Sequence, residues 1–422
     1  MFQGKKVLLI LGGAAQLCDI VENAKKKGYY VIVTDYLVNS PAKRIADESS
    51  MLSIVDVDGI VELCKEKHVD GIMNYCLDPG QKPYQEICER LHFKCYGTRE
   101  QFNIMTNKDV FKKECHKYGI ATIPGFELDE NYTKKDLENV TYPVVVKPAD
   151  GRASKGASLC KNEEELIKGI DYSLSFSARK KIVIEKYLPN CQEVVIKYCI
   201  CDGEIFLTSM ADLYTCYHEG KRAYIWSQTF PSRYYGLLAD KVDERIRNMI
   251  RGMGIKNGAM SFDGFVDGDE IRFFDPSFRM GGAQDWRIVD QISGINISDL
   301  LTNFAMEGTM GDLDTIKKVD KAFLNKSSAM LYFLCDLGKL NKIVGLDEAK
   351  KVESVIGYHL SHEEGDIIEQ FGTSDHVVAR FLMVSDDKES LKKDMRKIQE
   401  VFDVYDESGN SILLPNFDVN LF

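Results

Sequence analysis

No stretch of this chain approaches the ~18 consecutive apolar residues that a membrane-spanning helix requires, so no membrane segment is expected. The opening MFQGKKVLLILGG has too short an apolar run for a secretion signal and leads straight into strand–glycine–helix patterning. Lysine and arginine never run longer than three, and the formal net charge is −11. Bulk electrostatics therefore speak against a nucleic-acid partner, while a local basic pocket for a phosphate ligand stays open. The twelve cysteines include no CxxC, and the nearest two, Cys199 and Cys201, are one residue apart. That spacing disfavours a zinc site and predicts reduced, mostly buried thiols in a cytoplasmic protein. Also missing are the dinucleotide fingerprint GxGxxG, the phosphate loop GxxxxGK[ST], internal repeats and low-complexity linkers.

What the 422 residues do contain is ordinary globular composition, 44% hydrophobic and 28% charged, enough for a large core and more than one domain. Up to about residue 105, buried strands alternate with amphipathic helices. KVLLILGG, then AAQLCDIVENAKKKG closed by Gly28 as a helix C′ residue, then YYVIVTDY, predict a doubly wound α/β unit. Gly12-Gly13 reads as a tight turn, and Asp35 after the second strand adds little to a dinucleotide reading without the full glycine pattern. Residues 106–125 predict a capped helix and turn, followed by strand, loop and strand in PVVVKPADGRASKGASLC. A helix (EEELIKGIDYSLSF), a strand (KIVIEKYLP) and a hairpin entry come next. Residues 211–236 read as less regular, and 240–254 as a helix. After Leu340 the pattern is β-rich, with one helix at KESLKKDMRKIQEVF.

The stretch SFDGFVDGDEIRFFDPS reads as two strands joined by a turn at 267–270, Asp-Gly being a favoured hairpin dipeptide. Pairing centred on Asp269 sets Asp263 opposite Asp275, with Cβ atoms ~4.5–5.5 Å apart, and puts Ser277 on the same face. Two carboxylates so placed repel, so a cation is expected between them, and oxygen-only donors suit Mg2+. Asp267, Asp269 and Glu270 are the ordinary surface acids of such a hairpin. Lys147 ends PVVVK, ahead of a glycine- and serine-rich loop carrying Arg152 and Lys155 whose N–H groups can lie over phosphates. Glu185-Lys186 stands where a strand leaves the core; Glu185 can accept from an adenine amino group or a ribose, or close a hinge salt bridge. Pro276 removes a ladder donor between Asp275 and Ser277, so this strand end should be fixed by the site rather than by the sheet.

Taken in this order, these features resemble an ATP-grasp enzyme of the group containing biotin carboxylase, the carbamoyl-phosphate synthase large chain and the amino-acid ligases. The resemblance runs over nearly the whole chain. It is most specific at Asp263 followed by Asp275-Pro-Ser277-Phe-Arg279-Met-Gly281, where the family's acid and acid-x-Asn-x-Arg stand as Asp, Asp and Ser with the spacing kept. It implies an α/β chain with a Rossmann-like pre-ATP-grasp domain (1–105), a two-part ATP-grasp domain and a mixed α/β C-terminal domain (311–422). The ATP-grasp part, 106–310, divides into an ATP-clamp lobe (106–210) and a metal and substrate lobe (211–310). The implied cofactors are ATP and Mg2+, with Mn2+ as the alternative ion. Lys108 and Lys147 would bind the ATP phosphates, and Ser154, Lys155 and Gly156 would lie in the loop closing over them. Glu185, Lys186 and Leu188 would bracket the adenine, with Glu185 or Glu193 near the ribose. Asp263 and Asp275 would hold the metal, with Ser277 a weaker third ligand, and Arg279 would face the transferred phosphate or acyl-phosphate. A homodimer is admissible, since similar enzymes are often dimers.

The implied chemistry is activation of a carboxylate by phosphoryl transfer from ATP, then displacement of phosphate by an amine. Both substrates are expected to be small molecules. Biotin carboxylase itself is disfavoured, because the acid-containing stretch after its Asn-x-Arg is replaced here by MGGAQDW and no biotinyl Met-Lys-Met site is present. A full carbamoyl-phosphate synthase needs two grasp halves, and one is found. The alternatives are a carboxy- or formyl-phosphate-forming enzyme of purine-pathway type and a non-catalytic ATP-binding protein. Tyr214, His218, Arg222, Tyr224, Trp226, Gln228 and Arg233 suit either an organic carboxylate or a packed flap with one structural tryptophan. Arg287 reads as an exposed helix arginine rather than a carboxylate contact.

Overall fold

A computed structural model describes residues 4–151, 155–218 and 221–422. Its first sheet is parallel, in the order β3-β2-β1-β4, from β1 (Val7–Leu11), β2 (Tyr30–Thr34), β3 (Glu48–Ser50) and β4 (Gly71–Met73). Every residue of β1 is buried, as its unbroken apolar run requires. Gly12-Gly13 is a tight turn: Gly12 has φ +95°, and the Gly13 N–H donates to Asp35 Oδ2 at 2.7 Å. Asp35 also accepts from Leu37 N, so it ties the ends of β1 and β2 together. The helix after the turn runs Cys18–Lys26 and stops before Gly28, as expected.

A second sheet is antiparallel, in the order β5-β8-β6-β7, from β5 (Gly125–Asp129), β6 (Val144–Pro148), β7 (Ser158–Cys160) and β8 (Lys181–Lys186). The helix Glu163–Phe176 covers it, and together they enclose their own small apolar core. The helix expected within 106–125 is present at Lys108–Lys117, but its first residue lacks a side-chain cap. The Asn107 amide bonds back to Asn103 instead.

The third sheet has eight strands. Its order begins β13-β12-β9-β10-β11-β14, from β9 (Gln192–Cys201), β10 (Glu204–His218), β11 (Lys221–Phe230), β12 (Gly258–Asp267), β13 (Glu270–Ser277) and β14 (Ser327–Leu334). Strands Val377–Ser385 and Val355–Leu360 complete it. Two expectations need correction here. The segment read as less regular, 211–236, mostly belongs to the long hairpin of β10 and β11. Its register shifts beyond Tyr214 break the alternation that would have revealed a strand. The single helix expected at 240–254 is two, Tyr235–Lys241 and Asp243–Gly252.

The three-block division 1–105, 106–310 and 311–422 is kept as a proposal, but the blocks do not own separate sheets. The large sheet takes strands from the second and third, and the helix Ile297–Glu307 packs on the first. Gly71 of β4 lies so close to that helix that a Cβ there would stand 2.6 Å from the Ala305 carbonyl oxygen. All twelve cysteines are free and most are buried. No helix among the described residues is long and apolar enough to cross a membrane.

Candidate functional site

The β12–β13 hairpin sets the floor of the site. Its turn is the two residues Gly268-Asp269, with Gly268 at φ +63°, and Asp267 pairs with Glu270. Continued without interruption, that register would not oppose the two aspartates. A one-residue bulge at Phe274 shifts it, and Asp263 does stand opposite Asp275. The opposition read from the sequence is therefore right, although the turn centre assumed for it is half a residue off. Phe274, displaced by the bulge, stacks on Phe265 with centroids 4.9 Å apart. Asp267 and Glu270 pair with Arg272 and Asp269 with Lys241, the surface role expected of them.

Because β12 lies between β13 and β9, alternate residues of three strands share one face. Asp263 and Asp275 form one row with Val195, and Ser261 and Ser277 form the next with Lys197. This face opens into a cleft of 2410 Å3. A single small ligand typically takes about 300–1,000 Å3, so there is room for more than one. Burial, with the charges of Asp275 and Glu193, pushes the Asp263 carboxyl up to about 8 against the smaller pull of Lys197 and Arg279.

The helix Lys108–Lys117 and the sheet of β6 and β8 supply the facing side chains. Lys108 Nζ lies 2.7 Å from Asp275 Oδ1 and donates to the Gly151 carbonyl at 2.9 Å, so one ammonium joins the backbone just after β6 to the acid pair. Lys147 Nζ is 2.6 Å from Glu185 Oε2 and 4.9 Å from the Phe274 ring centre. Burial lowers the pKa of Lys147, with Lys108 adding to the effect and Glu185 opposing it. The other Glu185 oxygen meets Lys112 at 2.5 Å. Burial alone would raise the Glu185 pKa, but the two lysines outweigh it and hold the carboxyl low. Of the two readings of Glu185, the geometry thus displays the salt bridge: both oxygens hold lysines. Lys186, Leu188 and Glu193 line the cleft where β8 leaves its sheet and β9 begins. Lys155 lines it from the loop, and Gly156, at φ +78°, is anchored through its carbonyl by Ser173 Oγ at 2.6 Å. Ser154 and Arg152 lie outside the described residues.

Arg279 is held by the N-terminal unit. Its Nε and Nη2 donate to the two oxygens of Asp78 at 2.6 and 2.8 Å, and its Nη1 to the Met280 carbonyl at 2.6 Å. Met280 N donates to the Tyr75 carbonyl, and Tyr96 Oη to that of Phe278. Past Pro276, then, the strand end is fixed neither by the sheet nor by the acid pair alone. Three consecutive residues are pinned by the N-terminal unit.

Sequence reasoning missed Asp78, Lys112, Lys197 and Asp285. Lys112 had a signal: it falls one turn after Lys108, on the helix face that is otherwise apolar. Asp78 had none, because its partner is 201 residues away. In the β10–β11 flap, Tyr214 Oη donates to the Leu421 carbonyl and Trp226 Nε1 to that of Pro415, which favours the packed-flap reading for these two. Arg233 is bound to Asp212 and Gln192. His218 stands 3.7 Å from Asp336. Tyr224 and Gln228 line the cleft. Arg287 is not the exposed residue expected; it is half-buried, 3.4 Å from Asp19 and packed over Gly357.

The raised Asp263 carboxyl yields a test. Between its ordinary value of 3.8 and about 8, the native protein holds a proton there that the unfolded chain has lost. This contribution to stability is complete below the ordinary value and is lost as pH rises through the native one. In urea titrations without divalent cations, the stability of wild type relative to Asp263→Asn should fall steadily from pH 5 to about 8. A difference independent of pH would contradict it.

Residues 107–221 match the family of the carbamoyl-phosphate synthase L chain ATP-binding domain. A formate-dependent phosphoribosylglycinamide formyltransferase of Erythrobacter litoralis is 23% identical over 286 residues, 64% of this chain and 70% of that one. The structure of an L-amino acid ligase from Bacillus licheniformis superposes with a TM-score of 0.77 at 18% identity, covering 95% of this chain and 98% of that one. The biotin carboxylase domain of 2-oxoglutarate carboxylase from Hydrogenobacter thermophilus, solved with MgADP and bicarbonate, gives 0.74 at 16% identity, over 96% and 91%. With the paired-acid hairpin and the N-terminal parallel sheet in place, the chain has the ATP-grasp fold of these structures, and residues 107–221 match the ATP-binding domain.

Proposed function

We propose that this protein is an ATP-dependent carboxylate–amine ligase that works through an acyl-phosphate and releases ADP and phosphate. The observation that carries the reading is the 2.7 Å contact between Lys108 and Asp275. It brings the cationic wall of the clamp and the paired acids of the hairpin into one cleft, as phosphoryl transfer from a metal–nucleotide complex requires. The match to an ATP-binding domain over residues 107–221 and the likeness to an L-amino acid ligase support it.

In this reading Lys108 and Lys147 neutralise the polyphosphate, and Lys155 and Gly156, with Ser154, belong to the closing loop. Lys186 and Leu188 bracket the adenine at the end of β8. Glu193 takes the ribose, because Glu185 is occupied in holding Lys147 and Lys112. Asp263 and Asp275, with Ser277 as a third oxygen, are the candidate metal ligands. They fit a hard cation: the donors are all oxygen, and burial, with the charges of Asp275 and Glu193, makes Asp263 keep its proton up to about 8, a cost that a bound cation would relieve. No group of three or more His, Cys, Asp and Glu side chains placed to hold a metal occurs among the described residues, so a bound ion would take further oxygens from phosphate or water. Mg2+, or Mn2+, would there screen the phosphate oxygens during transfer. Asp78 and the Met280 carbonyl together take three N–H groups of the Arg279 guanidinium, which leaves one on Nη1 and one on Nη2 for a developing acyl-phosphate.

The formyltransferase similarity favours a second reading, in which formate is the carboxylate and formyl-phosphate the intermediate. Release of ADP and phosphate, screened over pools of carboxylates and amines and separately over formate and bicarbonate, separates the two. The ligase reading expects release only when an organic carboxylate and an amine are both present, and a formate- or bicarbonate-only response would overturn it. Turnover should fall at least about 100-fold in Asp275→Ala. Asp78→Asn, which keeps the shape but loses the charge gripping Arg279, should lower kcat about 10- to 100-fold and leave the KM for ATP unchanged. A rise in that KM with kcat intact would assign Asp78 to nucleotide binding instead.

A further inference from the structure

Lys197 adds a cation to the face of the hairpin that carries Asp263 and Asp275. It stands on β9 in the row next to the paired aspartates, directly across from Ser261, which is in turn across from Ser277. Two residues along a strand is about 6.7 Å. Phe274, under Lys147, marks the opposite side of the aspartate row. The acids are therefore flanked by a cation at each end, Lys147 toward β8 and Lys197 toward Arg279. Lys197 Nζ lies 2.6 Å from Asp285 Oδ1, and both side chains are nearly buried, yet Lys197 still lines the cleft. Asp285 balances the charge of the ammonium, whose three N–H groups give it donors to spare for a ligand in the cleft. The pair is wedged beneath the loop that follows Arg279: a Cβ on Gly281 would fall 2.8 Å from Lys197 Nζ and 3.0 Å from Asp285 Oδ1.

We propose that Lys197 is a further catalytic residue, one that binds the phosphoryl group once it has passed beyond the aspartate row and that holds the product phosphate. Asp285 fixes the ammonium in place from the side away from the cleft. A lysine serving only as a buried tether would face its acid without opening onto the substrate cavity. This inference rests on the ATP-dependent reading of the cleft, but it concerns phosphate binding alone and so can be tested without turnover.

The experiment is calorimetric titration of inorganic phosphate into the full chain in saturating MgADP. Wild type should bind phosphate, and Lys197→Met should bind it at least about tenfold more weakly, the loss expected for one charge-assisted hydrogen bond. Affinity for MgADP should be unchanged, Lys197→Arg should recover most of the phosphate affinity, and Asp285→Asn should retain it. The proposal is overturned if wild type does not bind phosphate, if Lys197→Met binds it as wild type does, or if MgADP affinity falls in parallel. It also fails if Asp285→Asn loses as much as Lys197→Met, the mark of a tether. Should Lys197→Met not fold, wild type still decides. Phosphate with MgADP should slow acylation of Lys197, followed by peptide mass spectrometry, by at least about threefold, and an unchanged rate would sink the idea. Phosphate binding that depends on Lys197 in a protein with no carboxylate- and amine-dependent ADP release would refute the ligase reading and leave this one standing.

Discussion

The structure around the cleft is governed by one electrostatic constraint: two aspartates held side by side at the end of a hairpin. Two such charges about 5 Å apart repel by roughly 3 kcal/mol at an effective dielectric near 20. The hairpin cannot relax by sliding, because a one-residue slip would turn Asp263 and Ser261 away from the cleft and expose Phe262. The protein answers with a proton on Asp263 and with the ammonium of Lys108 against Asp275. Through its bond to the Gly151 carbonyl, the same ammonium also ties the segment after β6 to the hairpin. Paired buried carboxylates with cations on either side are suited to a metal ion carried in by an anionic ligand.

Four further cations around the cleft are each held by an acid, two of them by the same one. Glu185 holds Lys112 and Lys147, Asp78 holds Arg279, and Asp285 holds Lys197. Orienting acids of this kind cost desolvation, but they fix long side chains before substrate arrives, and preorganisation is where electrostatic catalysis gains most. The N-terminal unit takes part through Asp78, Tyr75 and Tyr96, which together fix residues 278–280. Its parallel sheet resembles a dinucleotide fold, yet Gly12, Gly13 and Asp35 are consumed in joining its own strands. Here the unit contributes two side chains, Asp78 and Tyr96, and one backbone carbonyl, that of Tyr75, to a neighbouring site.

Much of this was legible in the sequence because it is local. Strand–glycine–helix alternation gave the first sheet, and the spacing of Asp263, Asp275 and Ser277 gave the hairpin face, although the bulge at Phe274 that makes the opposition true left no trace in the pattern. Lys147 and Glu185 were visible as polar interruptions in apolar strands; that they bind each other follows only from β6 pairing with β8. The β10–β11 hairpin was missed because its register shifts blur a period of two. Asp78 and Asp285 were invisible for a different reason. Each is an unremarkable loop acid whose meaning comes from a lysine or arginine brought to it by the tertiary fold, and no local rule reaches that far.

The central claim is that the clamp lysines and the paired aspartates form one site for a metal–nucleotide complex. Equilibrium titration of ATP into the purified protein, with and without Mg2+, addresses it most directly. Without the ion, the acid pair and the polyphosphate have no cation to share, so Mg2+ should strengthen binding by at least about tenfold. ATP affinity that is indifferent to Mg2+, or no ATP binding with the ion present, would contradict the account.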